Sequence, residues 1–391
     1  MLGYDEKGWP YFEPDEVAAV QQVLLSGNVN YWTGDKGRQF ETEFAATFGC
    51  KFGVAVANGT VALELALRSL GIGSGDEVIV TSYSFVASAS AVVLQGAKPV
   101  FADVDESLTI NAETIQAKIT RRTRAIIAVH LLGYPCDMDA INKLAREKGL
   151  HVVEDCAQAH GASYKGRPVG SLGDVAAFSF CQDKIMSTGG EGGMLVTNTK
   201  DLWQKAWSYK DHGKSRKAMD EPKKNEGFSW LHESFGTNLR MTEMQAAIGL
   251  VQLGKLSSWV TARKENAALL DRAFVDAEGF VRPDFSDERS HAFYRYSVLI
   301  DQHRLRQSWS RDRLVDELNA QRLYCGSGIC PEIYLEGAFK NSEFSLDERL
   351  PMAKSCGGRS IQFPVHPTLS REFQEHRVQV VRELLKEAFH E

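Results

Sequence analysis

The sequence predicts an α/β fold, with a mainly parallel sheet between layers of helices and a smaller α+β unit toward the C-terminal end. Seven short apolar runs alternate with helical periodicities between Lys51 and Asn198. Several of these runs are apolar at every position rather than at alternate ones, as in strands buried on both faces. Beyond about Leu256 the pattern changes to short strands mixed with amphipathic helices. The expected division is therefore a large unit over residues 1–255, including an N-terminal segment and a loop at 210–235, and a small unit over 256–391.

The first run, Val54-Ala55-Val56, meets Asn58-Gly59-Thr60. Leu63, Ala66, Leu67 and Leu70 then follow the spacing of one helix face. The turn Gly73-Ser74-Gly75-Asp76 leads into Glu77-Val78-Ile79-Val80. Pro99-Val100-Phe101, Ala125 to Leu131, His151 to Glu154, Val175 to Phe180 and Met194 to Thr197 complete the seven. Lys210 to Glu233 is polar and rich in Lys, and reads as a long excursion or lid. Thr242 caps a helix with Met244, Ala247, Ile248 and Val251 on one face. Arg295 to Ile300 reads as an alternating strand, and Ser370 opens a last helix striped by Val381, Leu384, Leu385 and Ala388.

Composition narrows the function. Over 391 residues, 43% are hydrophobic and 25% charged, so the chain can bury a core. The net charge of -6 argues against nonspecific nucleic-acid binding, which needs a basic face. The early segment has no apolar core of a secretory signal, and the uncharged stretch Ser84 to Ala97 is too short to cross a bilayer. Seven cysteines without a C-x-x-C pair point to a reducing cytoplasm and away from a structural metal.

Ligands in open α/β sheets gather at the carboxyl ends of strands. Lys184 stands just past one such end, after Ser179-Phe180, and is followed by Gly189-Gly190-Glu191-Gly192-Gly193. A lysine held among apolar or cationic groups can lose its proton and attack an aldehyde, and glycines let a ligand approach backbone. Asp155 ends another strand; there a carboxylate can keep a pyridine nitrogen protonated, so that the ring draws in electrons. Gly59-Thr60 opens a helix, where free N–H groups suit a phosphate. Phe85, past the strand at Val80, can cover a ring. The same residues can also be a solvated lysine, a helix N-cap, an ordinary turn and a core aromatic.

Taken in order, these pieces resemble the sugar aminotransferases of the DegT/DnrJ/EryC1/StrS family, which are fold-type-I pyridoxal-phosphate enzymes. The matching stretches are Tyr31-Trp32-Thr33-Gly34, Asn58-Gly59-Thr60, Gly75-Asp76-Glu77-Val78, Glu154-Asp155-Cys156-Ala157-Gln158-Ala159-His160-Gly161, Ser179-Phe180 with Lys184, Gly189 to Gly193, and Asn238-Leu239-Arg240-Met241-Thr242. The resemblance implies the cofactor pyridoxal 5'-phosphate, bound to Lys184 as an imine. It implies that Asp155 pairs with the ring nitrogen, Gln158 sits beside the ring hydroxyl and Phe85 stacks on the ring. Gly59, Thr60 and Ser179 would hold the phosphate, and Asn238 would reach that of a neighbouring subunit, so that a homodimer shares its sites.

The implied reaction moves the amino group of L-glutamate to a nucleotide-linked keto-sugar, at carbon four of a 4-keto-6-deoxyhexose or, as the alternative, at carbon three. Surface polysaccharide biosynthesis is the implied setting, and a non-catalytic cofactor-binding regulator is the rival class. Lys184 points away from a dehydratase branch that carries His there. Gly189-Gly190 looks one glycine longer than the family pattern. A nicotinamide dehydrogenase lacks its G-x-G-x-x-G here.

Overall fold

The computed structural model describes residues 8–220, 230–275, 279–281, 286 and 288–389. In chain order the elements are α1 (Pro14–Ser26), α2 (Lys36–Thr47), β1 (Phe52–Val56), α3 (Gly59–Ser69), β2 (Glu77–Thr81), α4 (Ala87–Leu94), β3 (Lys98–Ala102), α5 (Ala112–Gln116), β4 (Thr123–Val129), α6 (Met138–Lys148) and β5 (His151–Asp155). There follow β6 (Ser163–Tyr164), β7 (Arg167–Pro168), β8 (Val175–Ser179), β9 (Gly193–Thr197), α7 (Lys200–Lys210), α8 (Arg216–Asp220), α9 (Glu243–Asp271), β10 (Phe280–Val281), β11 (Arg289–Ser290) and β12 (Tyr296–Ile300). The last elements are α10 (Arg311–Ala320), α11 (Gly337–Lys340), α12 (Pro351–Arg359), β13 (Ser360–Phe363) and α13 (Arg371–Ala388).

All seven expected strands join one seven-stranded sheet, in the order β1-β9-β8-β5-β4-β2-β3. β9 runs antiparallel to both β1 and β8, and the other neighbouring pairs are parallel. The carboxyl ends of every strand except β9 therefore open on one edge. β2, β8 and β9 are buried at all five positions, which explains their unbroken apolar character. The helices stop and start where local chemistry dictates. Asn58 caps α3 through the Val61 N–H at 2.9 Å, and Thr242 and Gln245 form a reciprocal cap on α9.

Three expectations need correction. The helix after Thr242 runs on to Asp271, through the expected 255/256 division. Of its expected face Ala247 is buried while Met244, Ile248 and Val251 are half-buried, and the helix also buries Ala246, Gly249, Gln252, Leu256 and Val260. The alternation expected of Arg295 to Ile300 is absent, because β12 is buried at all five positions. It is the central strand of the sheet β10-β12-β13, with Tyr296, Val298 and Ile300 in a second apolar cluster and Leu299 in the first.

That second cluster gathers Ala267, Leu270 and Phe274 with β12, β13, α10 and α13, including Val381, Leu385 and Ala388 of the expected stripe, with its Leu384 half-buried against them. Residues Ile333 to Cys356 return to the first cluster and dock on the main sheet. The amide of Ile333 donates to Ser82 O at 3.0 Å, and that of Ala353 to Asp103 Oδ1 at 2.8 Å. Of the excursion from Lys210 to Glu233, residues 221–229, with Lys223 and Lys224, lie outside the described residues. Its two described flanks meet, Ser215 N donating to Leu231 O at 2.7 Å. Among the described residues no helix is long and apolar enough to cross a membrane.

Glu154, next to the functional edge, anchors this architecture. Wholly buried, it accepts from the backbone N–H groups of Gly170, Leu172 and Gly173 at 2.8, 2.7 and 2.6 Å and lies 2.9 Å from His130 Nε2. Glu154→Ala leaves three buried donors unmet, and we expect a loss of about 3–5 kcal/mol in chemical denaturation.

Candidate active site

β8 ends at Ser179, and the chain then folds into a pinned turn that presents Lys184. Phe180 N donates to Gly192 O at 2.8 Å, Thr188 Oγ1 to Glu191 O at 2.6 Å, and Ser187 N to Gln252 Oε1 on α9 at 2.8 Å. From the N-terminal segment, Trp9 Nε1 donates to Lys184 O at 2.8 Å. The backbone of the lysine is thus held from two sides.

The Lys184 side chain meets Asp183 and Tyr294. Its Nζ lies 3.4 Å from Asp183 Oδ1 and 5.0 Å from the centroid of the Tyr294 ring, while the Tyr294 hydroxyl donates to Asp183 Oδ2. Burial pulls the ammonium down, but the charges of Tyr294 and Asp183 outweigh it and hold the group above its ordinary value. That differs from the deprotonated lysine expected of an apolar or cationic pocket. The sequence pattern marked Lys184 but not the acid beside it or the tyrosine far along the chain.

Asp155 closes β5 with only 5% of its surface exposed. Ser88 Oγ donates to its Oδ2 at 2.8 Å and Ala157 N to its Oδ1 at 3.1 Å. Burial nevertheless pushes the carboxyl above its ordinary value, against the opposing pull of Ser88, Ala157 and the Lys184 charge. Ser88, which the sequence reading passed over, sits on the buried face of α4 and also meets Ser84 Oγ at 2.8 Å. Gln158 is buried beside Asp155, and its Oε1 accepts from Leu132 N at 2.7 Å.

The start of α3 is pressed against β8 and β9. A Cβ on Gly59 would stand 2.5 Å from Ser179 Cβ, and one on Gly193 would overlap Asn58 O, so only glycine permits this approach. Gly59 and Thr60 occupy the first turn, whose N–H groups have no acceptor within the helix. Ser179 lies alongside. Phe85, at the mouth, is 63% exposed. Asn238 is exposed too, on a segment tied to the end of β1 by the Ala57 N to Leu239 O bond of 3.0 Å.

Other histidines and cysteines lie apart from this chemistry. His160 is wholly buried, its ring centroid 5.3 Å from Phe178 and 5.6 Å from Phe180. Burial and then the charges of Lys184 and Arg263 push it down to about 3. It is therefore neutral, and neither ring nitrogen has a partner among the described residues. His232 is exposed, in a backbone bridge with Lys214, and His212 is exposed with a φ of 59°. Cys325 and Cys330 are free thiols.

The donor set suits pyridoxal phosphate. A buried carboxyl carrying only two neutral donors complements a cationic ring nitrogen, a helix start beside a serine complements a phosphate, and an amine stands by for the aldehyde. Comparison with known proteins agrees. A model of the DegT/DnrJ/EryC1/StrS aminotransferase family matches residues 10–382. The chain is 36% identical to the spore coat polysaccharide biosynthesis protein SpsC of Bacillus subtilis (strain 168) over 97% of this chain and 96% of that one. It is 36% identical to the dTDP-3-amino-3,4,6-trideoxy-alpha-D-glucose transaminase of Streptomyces venezuelae, over 94% and 91% of the two chains. The X-ray structure of the aminotransferase from Psychrobacter cryohalolentis superposes with a TM-score of 0.95 at 48% identity, covering 98% of this chain and 99% of that one.

The charge around Lys184 has a measurable consequence. Its amine must be neutral to attack an aldehyde, so a raised value slows attack at neutral pH. Asp183→Asn removes one source of that rise. We expect cofactor-free Asp183→Asn protein to take up pyridoxal phosphate faster than wild type at each pH from 7 to 9, followed as growth of the visible band. An unaltered rate would show that Asp183 does not hold the ammonium.

Proposed function

The chain belongs to the DegT/DnrJ/EryC1/StrS aminotransferase family, and from that premise we propose that it moves the amino group of L-glutamate to carbon four of a nucleotide-linked 4-keto-6-deoxyhexose. It is a sugar-nucleotide aminotransferase with pyridoxal phosphate as cofactor. The observation that carries the aminotransferase chemistry is Lys184, just past the end of β8, together with Asp155, at the end of its neighbour β5, and the start of α3 beside them; the choice of carbon four rests on the family resemblance alone.

Bound pyridoxal phosphate supplies an aldehyde that carries the amino group between substrates and a ring that accepts electrons from the breaking C–H bond. The protein does the rest. Asp155, starved of water, would hold the ring nitrogen protonated. Gln158 would stand beside the ring hydroxyl and Phe85 would cover the ring. Gly59, Thr60 and Ser179 would hold the phosphate. Lys184 Nζ takes the α-carbon proton from the amino acid in the first half-reaction. In the second it delivers a proton to the former carbonyl carbon of the sugar. One base serving two half-reactions gives ping-pong kinetics.

Carbon-three amination is the second reading, favoured by the transaminase from Streptomyces venezuelae, whose name carries a 3-amino sugar. The similarity to SpsC supports a place in surface polysaccharide biosynthesis. A non-catalytic regulator has no use for the paired Lys184 and Asp155. The site is shared across a homodimer in this reading, with Asn238 reaching the partner's phosphate. Phe235 and Trp230, 97% and 86% exposed on the same segment, are large aromatics that a second copy would cover.

Three outcomes follow. Lys184→Ala loses the visible cofactor band and turnover falls by at least about 10⁴-fold; a variant that keeps its activity ends the proposal. With glutamate as donor, wild-type enzyme aminates 4-keto in preference to 3-keto sugar nucleotides, as product analysis by mass spectrometry and NMR would record. Separately, Phe235→Asp shifts the species in sedimentation from dimer to monomer and lowers activity with it.

A further inference from the structure

The cavity beside Lys184 carries more positive charge than the described residues neutralise. It measures about 330 Å³, and its walls include Trp9, Asp183, Arg263, Tyr294, Arg295 and His366. Arg263, on α9, is 2% exposed. Its Nη1 donates to the backbone oxygens of Phe293 and Tyr294, both at 3.3 Å, while Nε and Nη2 find no acceptor among the described residues. Arg295 lies with its guanidinium 5.6 Å from the Tyr294 ring and has no carboxylate partner among the described residues. The acid on the cavity wall, Asp183, is already held by Tyr294 and Lys184.

The titration of the walls agrees. Burial, and then the charges of Arg263, Arg295 and Arg377, push His366 down to about 3. Burial, and then Arg295, push Arg263 down to about 9. Such shifts mark a pocket of like charges short of an anion. A buried guanidinium with unmet N–H groups is costly, and a carboxylate matches its planar fork.

We propose that this cavity receives a carboxylate of the amino-acid donor, bound by Arg263 and Arg295, an inference that rests on the aminotransferase reading above. Lys184 Nζ and the Arg295 guanidinium both lie against the Tyr294 ring, 5.0 and 5.6 Å from its centroid, which brings the arginine into the neighbourhood of the lysine. The volume of about 330 Å³ falls at the small end of the range of about 300–1,000 Å³ for small-molecule sites, which suits an amino acid better than a sugar nucleotide. Trp9 closes one side, 5.0 Å from the Arg263 guanidinium, with its Nε1 on Lys184 O.

Replacing Arg263 endangers the fold, because it ties α9 to Phe293 and Tyr294. Half-buried Arg295 therefore carries the test. In Arg295→Gln holoenzyme each half-reaction is followed separately through the cofactor spectrum. The KM for L-glutamate should rise about 10- to 100-fold, with a loss roughly tenfold smaller in the sugar half-reaction. Arg295→Lys should recover part of it. Glutarate, which cannot react, should raise the unfolding temperature of wild-type holoenzyme but not that of Arg295→Gln.

An equal loss with L-alanine would place the α-carboxylate on the arginines, and a loss confined to L-glutamate the distal one. An unaltered donor KM overturns the proposal. So does a loss that falls mainly on the sugar half-reaction, which would give the cavity to the pyrophosphate. Failure of the underlying aminotransferase reading looks different, since no amino acid would then alter the wild-type spectrum.

Discussion

An acid kept out of water sets the terms for this site. Asp155 ends β5 between β4 and β8, and the neutral donors Ser88 and Ala157 do not offset the loss of hydration. A carboxylate in that position calls for a cation, and the strand edge around it is arranged so that one can arrive. β8 brings Lys184 alongside, glycines at 59 and 193 let α3 close in, and the mouth stays open at Phe85. In the proposed function the ring nitrogen of the cofactor would be that cation.

Much of this was legible in the sequence, for a physical reason. Strands buried on both faces leave unbroken apolar runs, so all seven strands of the main sheet could be found without a structure. Ligand sites in such sheets follow the strand ends, so the candidates Asp155, at the end of β5, and Gly59 and Lys184, just beyond β1 and β8, could be picked out. Helix starts announced themselves through Thr242 and Ser370. The run from Arg295 misled, because a strand caught between two apolar clusters has no solvent face to alternate toward. The length of α9 was hidden as well, its later turns burying Gln252 and Arg263 among the apolar residues.

What escaped was pairing at a distance. Ser88 meets Asp155, Tyr294 meets Asp183, and Trp9 meets Lys184 across 67, 111 and 175 residues of chain. Periodicity says which face a side chain takes, not which side chain faces it. Ser88 bears on the protonation of the acid and Tyr294 on that of the amine, while Trp9 fixes the lysine backbone, so the folded chain sets the pH response of groups the sequence could only locate. Arg263 from α9, Arg295 from the approach to β12 and His366 from the segment after β13 meet in one cavity for the same reason.

α9 deserves a mechanical reading. At 29 residues it is about 43 Å long, and it is continuous from the first apolar cluster into the second. A hinge between two lobes needs a few residues free to change their backbone angles, and an unbroken helix offers none along its shaft. The helix works as an axle. Along it the two clusters share one continuous element, so their apolar faces are joined through a single shaft.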